Sequence, residues 1–108
     1  MTTVLILNND SMGHGDSALG HRILKTLLQK SGALTDLTAI CLYNAGVKLL
    51  APDSPVLAEL TLIQENGVDL LPCGTCLKHY GLTPPGVDPS TMDTILAEVD
   101  GAAKVVTI

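Results

Sequence analysis

The chain has 108 residues, with 11 acidic against 6 basic side chains and a formal net charge of −5. This length suits a single domain, 1–108, with one core, and with neither Trp nor Phe and only Tyr43 and Tyr80 aromatic, that core has to be aliphatic. The acidic balance, with no Lys/Arg cluster and no stacking aromatics, excludes nucleic acid as a natural partner; no apolar run is long enough to span a bilayer, and the N-terminus lacks the charged region of a signal peptide, so a cytoplasmic protein working away from membranes is expected.

Val4 to Leu7 is a continuous apolar run closed by Asn8-Asn9-Asp10, the pattern of a strand buried on both faces of a parallel sheet. A polar loop, Ser11-Met12-Gly13-His14-Gly15-Asp16, leads to a helix that Asp16 or Ser17 can cap. Its Leu19, Ile23, Leu24, Leu27 and Leu28 share one face, and Gly32 follows its end. Leu37 to Tyr43 predicts the second strand and Asn44 to Lys48 a loop. Ser54-Pro55 predicts the start of a second helix, with Val56, Leu57, Leu60 and Ile63 as its apolar stripe and Asn66-Gly67 as its stop. Val68 to Leu71 predicts the third strand and Gly74 to Tyr80 a short helix ending at Gly81. The stretch Leu82 to Pro89 is irregular, with room for a short strand around Gly86-Val87. Ser90 with Asp93 resembles a capping box before a last helix carrying Met92, Ile95, Leu96 and Val99, and Lys104 to Ile108 predicts the final strand.

Strands alternating with helices make an α/β fold, a three-layer α/β/α arrangement of flavodoxin-like appearance around a mostly parallel sheet of about five strands. Right-handed crossovers bring the strand-to-helix loops to one edge of such a sheet, where ligands bind. Three loops should gather there: Asn8 to Asp16, Asn44 to Asp53, and Cys73 to Cys76.

The third loop carries the strongest chemical signal. Cys73-Gly74-Thr75-Cys76 places two thiols where an apolar strand becomes a helix. Unpaired N–H groups at a helix start favour thiolate, the form that attacks sulfur. In a reducing compartment such a pair serves chemistry or packing before it serves as a disulfide staple. Its functional form is a nucleophile at the cap, Cys73, taken to be the more exposed of the two, with Cys76 as its assistant. Its bland form is a pair of small apolar residues at a packed helix start. A metal site is not expected, because the pair supplies two ligands and no second pair exists, even with His79 nearby. Cys41 lies mid-strand and reads as core.

Read together, Ser11 to Asp16 with Leu19-Gly20, Asn44-Ala45-Gly46-Val47-Lys48-Leu49, and Cys73 to Leu77 with Tyr80-Gly81 resemble the DsrE-like sulfur-relay superfamily. The DsrE-like domain of YedF-type proteins, sulfurtransferase-like and tied to selenium metabolism, is the most similar. Those proteins usually carry an N-terminal TusA-like domain, which these residues do not include. The resemblance implies a persulfide carried on a loop cysteine, which aligns with Cys73. It also implies oligomers and protein thiols, a TusA-like protein among them, as sulfur donor and acceptor. No organic cofactor is required.

Around the pair, Asn9, Asp10, Met12, Gly13 and His14 of the first loop are candidates to position substrate, as are Asn44, Gly74 and Thr75. The first loop lacks the Gly-Lys-Ser/Thr of a phosphate-binding loop, and Asp10 and Asp16 would repel phosphate. Lys48 could favour thiolate at Cys73 and steer an anionic sulfur species, or it could be solvated surface. His21 reads as surface and Tyr80 as packing. Two other functions use the same residues: a thioredoxin-like dithiol redox protein, for which no cis-proline partner loop can be identified, and a non-catalytic oligomeric binding module. With 46% apolar residues in a small chain, leftover aliphatic surface points to a homo-oligomer.

Overall fold

The computed structural model describes residues 2–108. Strand β1 (Thr3–Leu7) is buried at all five positions, as a strand covered on both faces must be. Strand β2 (Leu37–Leu42) pairs parallel with one side of β1, and β3 (Asp69–Pro72) pairs parallel with β2. Strand β4 (Lys104–Thr107) pairs parallel with the other side of β1. The order across the sheet is β3-β2-β1-β4. The α/β architecture and the parallel sheet are as expected from the sequence.

Alternation along the strands builds two cores. On one face Leu5, Leu7, Ile40, Leu42 and Leu70 meet helix α1 (Ser17–Gln29), through Leu24 and Leu28, and helix α2 (Leu57–Glu65), through Leu60 and Ile63. On the other face Val4, Ile6, Ala39, Cys41 and Cys73 meet Ile95 of helix α4 (Met92–Gly101). The short helix α3 (Gly74–Tyr80) sends Leu77 to the first core, and Cys76 touches both. Cys41 has no exposed surface, and burial together with the charge of Glu98 pushes its thiol up to about 11, so it stays protonated and inert.

The structure corrects several sequence expectations. Among the described residues the sheet has four strands, and residues 86–87 form none. A single bridge, Cys73 with Ser90, stands where a fifth strand would begin. Gly86 turns with φ +76°, and Pro84, Pro85 and Pro89 have no N–H to give a ladder. Helix α2 starts at Leu57, later than Ser54-Pro55 suggests, because the Ser54 hydroxyl accepts the Val56 N–H at 3.2 Å within a preceding turn. Helix α4 is capped by Thr91, whose hydroxyl accepts the Thr94 N–H at 3.2 Å, and not by Ser90, which is held by β3. Asn44–Leu50 is a 3₁₀ helix where a loop was expected, and Gly32 lies inside a second one, Ser31–Ala33. The helix α1 stripe is only partly buried: Leu19 is 53% and Ile23 42% exposed, and Ile23 faces β4 across an open groove.

Asp16 caps α1 as expected, accepting the Leu19 N–H at 2.8 Å. Among the described residues no helix is long and apolar enough to cross a membrane.

Candidate active site

Where β3 ends, the backbone is held from two sides. The Cys73 N–H donates to the Leu42 carbonyl at 2.8 Å, extending the β2 pairing one residue past the strand. Across the outer side, Ser90 N–H donates to the Pro72 carbonyl at 2.7 Å and Gly74 N–H to the Ser90 carbonyl at 2.8 Å. Gly74 makes this approach easy, since a Cβ would lie a tight 3.2 Å from the Ser90 carbonyl oxygen and 3.4 Å from Pro89. Cys73 is thereby fixed in extended conformation as the residue that caps α3, with φ −61° and ψ 121°.

A helix start leaves N–H groups without partners inside the helix. Gly74's is spent on Ser90. Those of Thr75 and Cys76 lie on the Cys73 side. No hydrogen bond of strict cap geometry reaches the Cys73 sulfur, yet its surroundings are those of an anion. Burial pushes the Cys73 thiol up, but the backbone and thiol of Cys76 and the backbone and hydroxyl of Thr75 together outweigh it. The net result is a thiol more acidic than usual. Cys76 goes the other way. Burial raises it most, the Asn44 N–H opposes this, and its donation to Cys73 and the charge there raise it further. The first proton lost by the pair therefore leaves the negative charge on Cys73, with Cys76 as the thiol donating to it.

Exposure differs from the sequence expectation. Cys73 is only 7% exposed, whereas Cys76 is partly open. Residue 73 closes one core beneath the helix start, which is what a cap following a buried strand does. The thiol pulled down is the sheltered one, and the thiol pushed up is the more accessible one.

A second chain of contacts runs outward from Cys76. Asn44 adopts φ +51°, a left-handed conformation that asparagine tolerates better than most residues. This aims its N–H at the Cys76 sulfur, 3.1 Å away. The Asn44 side-chain carbonyl accepts the Tyr80 hydroxyl at 3.4 Å. The Tyr80 ring lies 5.1 Å below the Lys48 ammonium, and Lys48 pairs with Asp10 at 3.7 Å. Asp10, Lys48 and Tyr80, with His21, Asp53 and Ser54, line a cleft of about 410 Å³.

The structure thus brings Asp10, Asn44, Lys48, Gly74, Thr75, Cys73 and Cys76 into one neighbourhood. The other first-loop candidates are elsewhere. Met12 packs on the α1/α2 core and lines the groove toward β4. Asn9 turns its side chain onto the Asp10 N–H at 2.9 Å, and Gly13 and His14 are exposed, away from the residues lining the cleft. The loop is drawn toward α1 because Met12 N–H donates to the Gly20 carbonyl at 3.3 Å. Lys48 turns to Asp10 and the Tyr80 ring. The groups that move the two thiols are burial, the thiols themselves, Thr75 and Asn44. Lys48→Met is accordingly expected to leave the pH dependence of Cys73 alkylation unshifted, and a shift of the midpoint toward higher pH would show a direct role. The sequence does not mark Tyr80, His21 and Ser90 as part of the site. The sequence signals that could have found Tyr80 are its place in the Tyr80-Gly81 pair of the resemblance and its position one helical turn beyond Cys76 (spacing four) on the same short helix.

The DsrE/DsrF-like family matches this chain over residues 1–108. No curated protein matches it. Among solved structures, the ychN protein from E. coli is similar, with TM-score 0.71 and 19% identity over 100% of both chains. MTH1491 from Methanobacterium thermoautotrophicum, a protein of unknown function, has TM-score 0.70 and 19% identity over 99% of this chain and 98% of that one. BT1422 from Bacteroides thetaiotaomicron, also of unknown function, has TM-score 0.66 and 22% identity over 98% and 94%. At these identities the likeness is one of fold.

Proposed function

Because the chain belongs to the DsrE/DsrF-like family, whose general theme is sulfur relay, we propose that it carries sulfane sulfur as a persulfide on Cys73. The observation that supports this best is the placement of the pair. Cys73 is pinned at the start of α3 by Leu42 and Ser90, with Cys76 one turn on and held by the Asn44 N–H. These surroundings pull the Cys73 thiol down and push the Cys76 thiol up. The Cys73 thiolate attacks the outer sulfur of a donor persulfide, R–S–SH. The bond between the two donor sulfurs breaks, R–S⁻ leaves, and Cys73–S–SH remains. An acceptor thiolate then attacks that outer sulfur, taking it as R′–S–SH and returning Cys73 as thiolate. No electrons enter or leave, and no organic cofactor is used. Cys76 donates a hydrogen bond to whichever anion stands on Cys73, and the Asn44 N–H holds Cys76 in place.

Donor and acceptor are protein thiols or low-molecular-weight persulfides, a TusA-like protein among the candidates, in a reducing compartment such as the cytoplasm. Selenium in the same oxidation state would follow the same route. Loading single variants with a persulfide donor tests the proposal. Cys76→Ser is expected to retain one added sulfur per chain and Cys73→Ser to take up none; equal loading of the Cys73→Ser variant would overturn it.

The same family supports self-association. The groove between α1 and β4, about 350 Å³ and lined mainly by Leu5, Met12, Ile23, Leu27, Val106 and Ile108, is apolar and open beside the free edge of β4. A second copy is its proposed occupant. Sedimentation at micromolar concentration is expected to show an oligomer that Ile23→Lys weakens, and a monomer in the native protein contradicts this.

A further inference from the structure

The outer edge of the sheet beside the cysteine pair is incomplete, and the reasons can be followed atom by atom. In a parallel ladder alternate residues turn their N–H and C=O toward the same neighbour. Cys73 N–H donates to Leu42, and Leu71 and Asp69 follow in step with β2. Leu70 and Pro72 therefore face outward. The Pro72 carbonyl is met by Ser90 N–H, and the Ser90 carbonyl takes Gly74 N–H. Extended in the same register, the ladder would next bind Pro72 N–H to the Asp88 carbonyl, Asp88 N–H to the Leu70 carbonyl, and Leu70 N–H to the Gly86 carbonyl. The first of these is impossible, because proline has no N–H. In place of the last, the Gly86 carbonyl is turned to the Gln64 side-chain amide, which it accepts at 3.0 Å.

Residues 86–89 are thus held away from β3, and Leu70 has outward main-chain groups without a partner among the described residues although the residue is only 6% exposed. Buried main-chain polar groups are almost always paired. They face a groove of about 450 Å³ whose only charged lining residues are Asp69 and Asp88.

We infer that this groove docks an extended, basic segment of a partner protein, which adds main-chain hydrogen bonds to Leu70 as a strand lying between β3 and residues 86–89. Strand addition to an open edge draws affinity from main-chain pairing and selectivity from flanking side chains. Here the selectivity is electrostatic, since Asp69 and Asp88 favour Lys or Arg, and a chain of net charge −5 repels acidic segments. Ser90 lines the groove and its carbonyl holds Gly74 beside Cys73, so a docked segment would lie along the strand that leads to the pair without using it. The inference stands whether or not Cys73 carries sulfur.

The probe is a blocked hexapeptide of alternating valine and lysine, with two analogues N-methylated on the valines or on the lysines. Amide exchange is followed by NMR on the full chain. In the free protein the Leu70 amide is expected to exchange fast, and saturating peptide is expected to slow it by at least about tenfold. One methylated analogue should lose binding while the other keeps it, because only one edge of an added strand faces β3. Asp69→Lys with Asp88→Lys should weaken binding by about tenfold or more at low salt, with Cys73 alkylation unchanged as the check that the fold is intact. A slowly exchanging Leu70 amide in the free protein would mean that residues 86–89 already close the edge, and would overturn the inference. So would equal binding by both analogues, or undiminished affinity in the double variant.

Discussion

The Cys73→Ser variant is expected to lose the fast phase of alkylation by iodoacetamide at neutral pH, while Cys41 stays unlabelled in every variant. Below both pKa values, each unit separating two thiols is worth about a factor of ten in thiolate fraction. The more acidic thiolate is intrinsically a somewhat weaker nucleophile, which offsets part of that gain. The burial of Cys73 slows access as well, so a small reagent is the right probe. The signs of the pH shifts are fixed by the causes. In the native protein the rate rises with pH as the pair ionises, with its midpoint below that of an ordinary thiol, because Cys76 and Thr75 stabilise the Cys73 anion. Cys76→Ala removes one of the donors, so the Cys73 midpoint moves up. Cys73→Ser removes both the hydrogen-bond demand and the negative charge that raise Cys76, so the Cys76 midpoint moves down from its native position. If Cys76→Ala leaves the Cys73 profile where it was, the thiols do not communicate.

Gly46→Ala is expected to cost about 3 kcal/mol or more in stability, seen as a fall in Tm of roughly 10 °C or more for a chain of this size. After β2, the 3₁₀ helix passes over the end of β1 so closely that a Cβ at residue 46 would collide with the Leu7 carbonyl. The obstacle is backbone at the end of a buried central strand, so no side-chain rotation can relieve it. The same turn presents Asn44 to Cys76, so thermal loss should be accompanied by a changed Cys76 profile in whatever fraction stays folded. Gly32→Ala is the control. Its φ is not in the left-handed region and nothing lies within 4 Å of an added Cβ, so a comparable loss there would show that the Gly46 effect is not one of close approach.

Much of this architecture is legible in the residues. Val4 to Leu7 reads as a two-sided strand because all its neighbours are apolar, and the structure buries it completely. The third loop is legible because two cysteines mark the junction of strand and helix. What the residues do not reveal is long-range. Cys73 is expected at the surface because cap residues usually are, yet this cap follows a buried strand and is pinned by Ser90, sixteen or more positions away in the sequence. Ser90 itself looks like a helix cap, since nothing local distinguishes a hydroxyl that caps from a residue whose backbone completes a bridge. Met12 and Lys48 are legible as members of their loops, but their contacts are not. Met12 is apolar and finds the groove beside α1, and Lys48 finds Asp10 and Tyr80 before it finds a thiol. The missing fifth strand was half visible in Pro72 and Pro89, but the Gln64 clamp on Gly86 joins residues twenty-two apart and could not be seen.

Everything proposed for the sulfur chemistry depends on Cys73 being the atom that takes the load. The direct measurement is mass spectrometry of the protein isolated without reductant, with free thiols blocked and the chain cleaved so that residues 73 and 76 are mapped by fragmentation. The expected result is a population carrying one additional sulfur (or one selenium) on Cys73 and none on Cys41. A chain whose Cys73 is uniformly unmodified while Cys76 bears the added atom would contradict it, and so would a chain in which neither residue is ever modified.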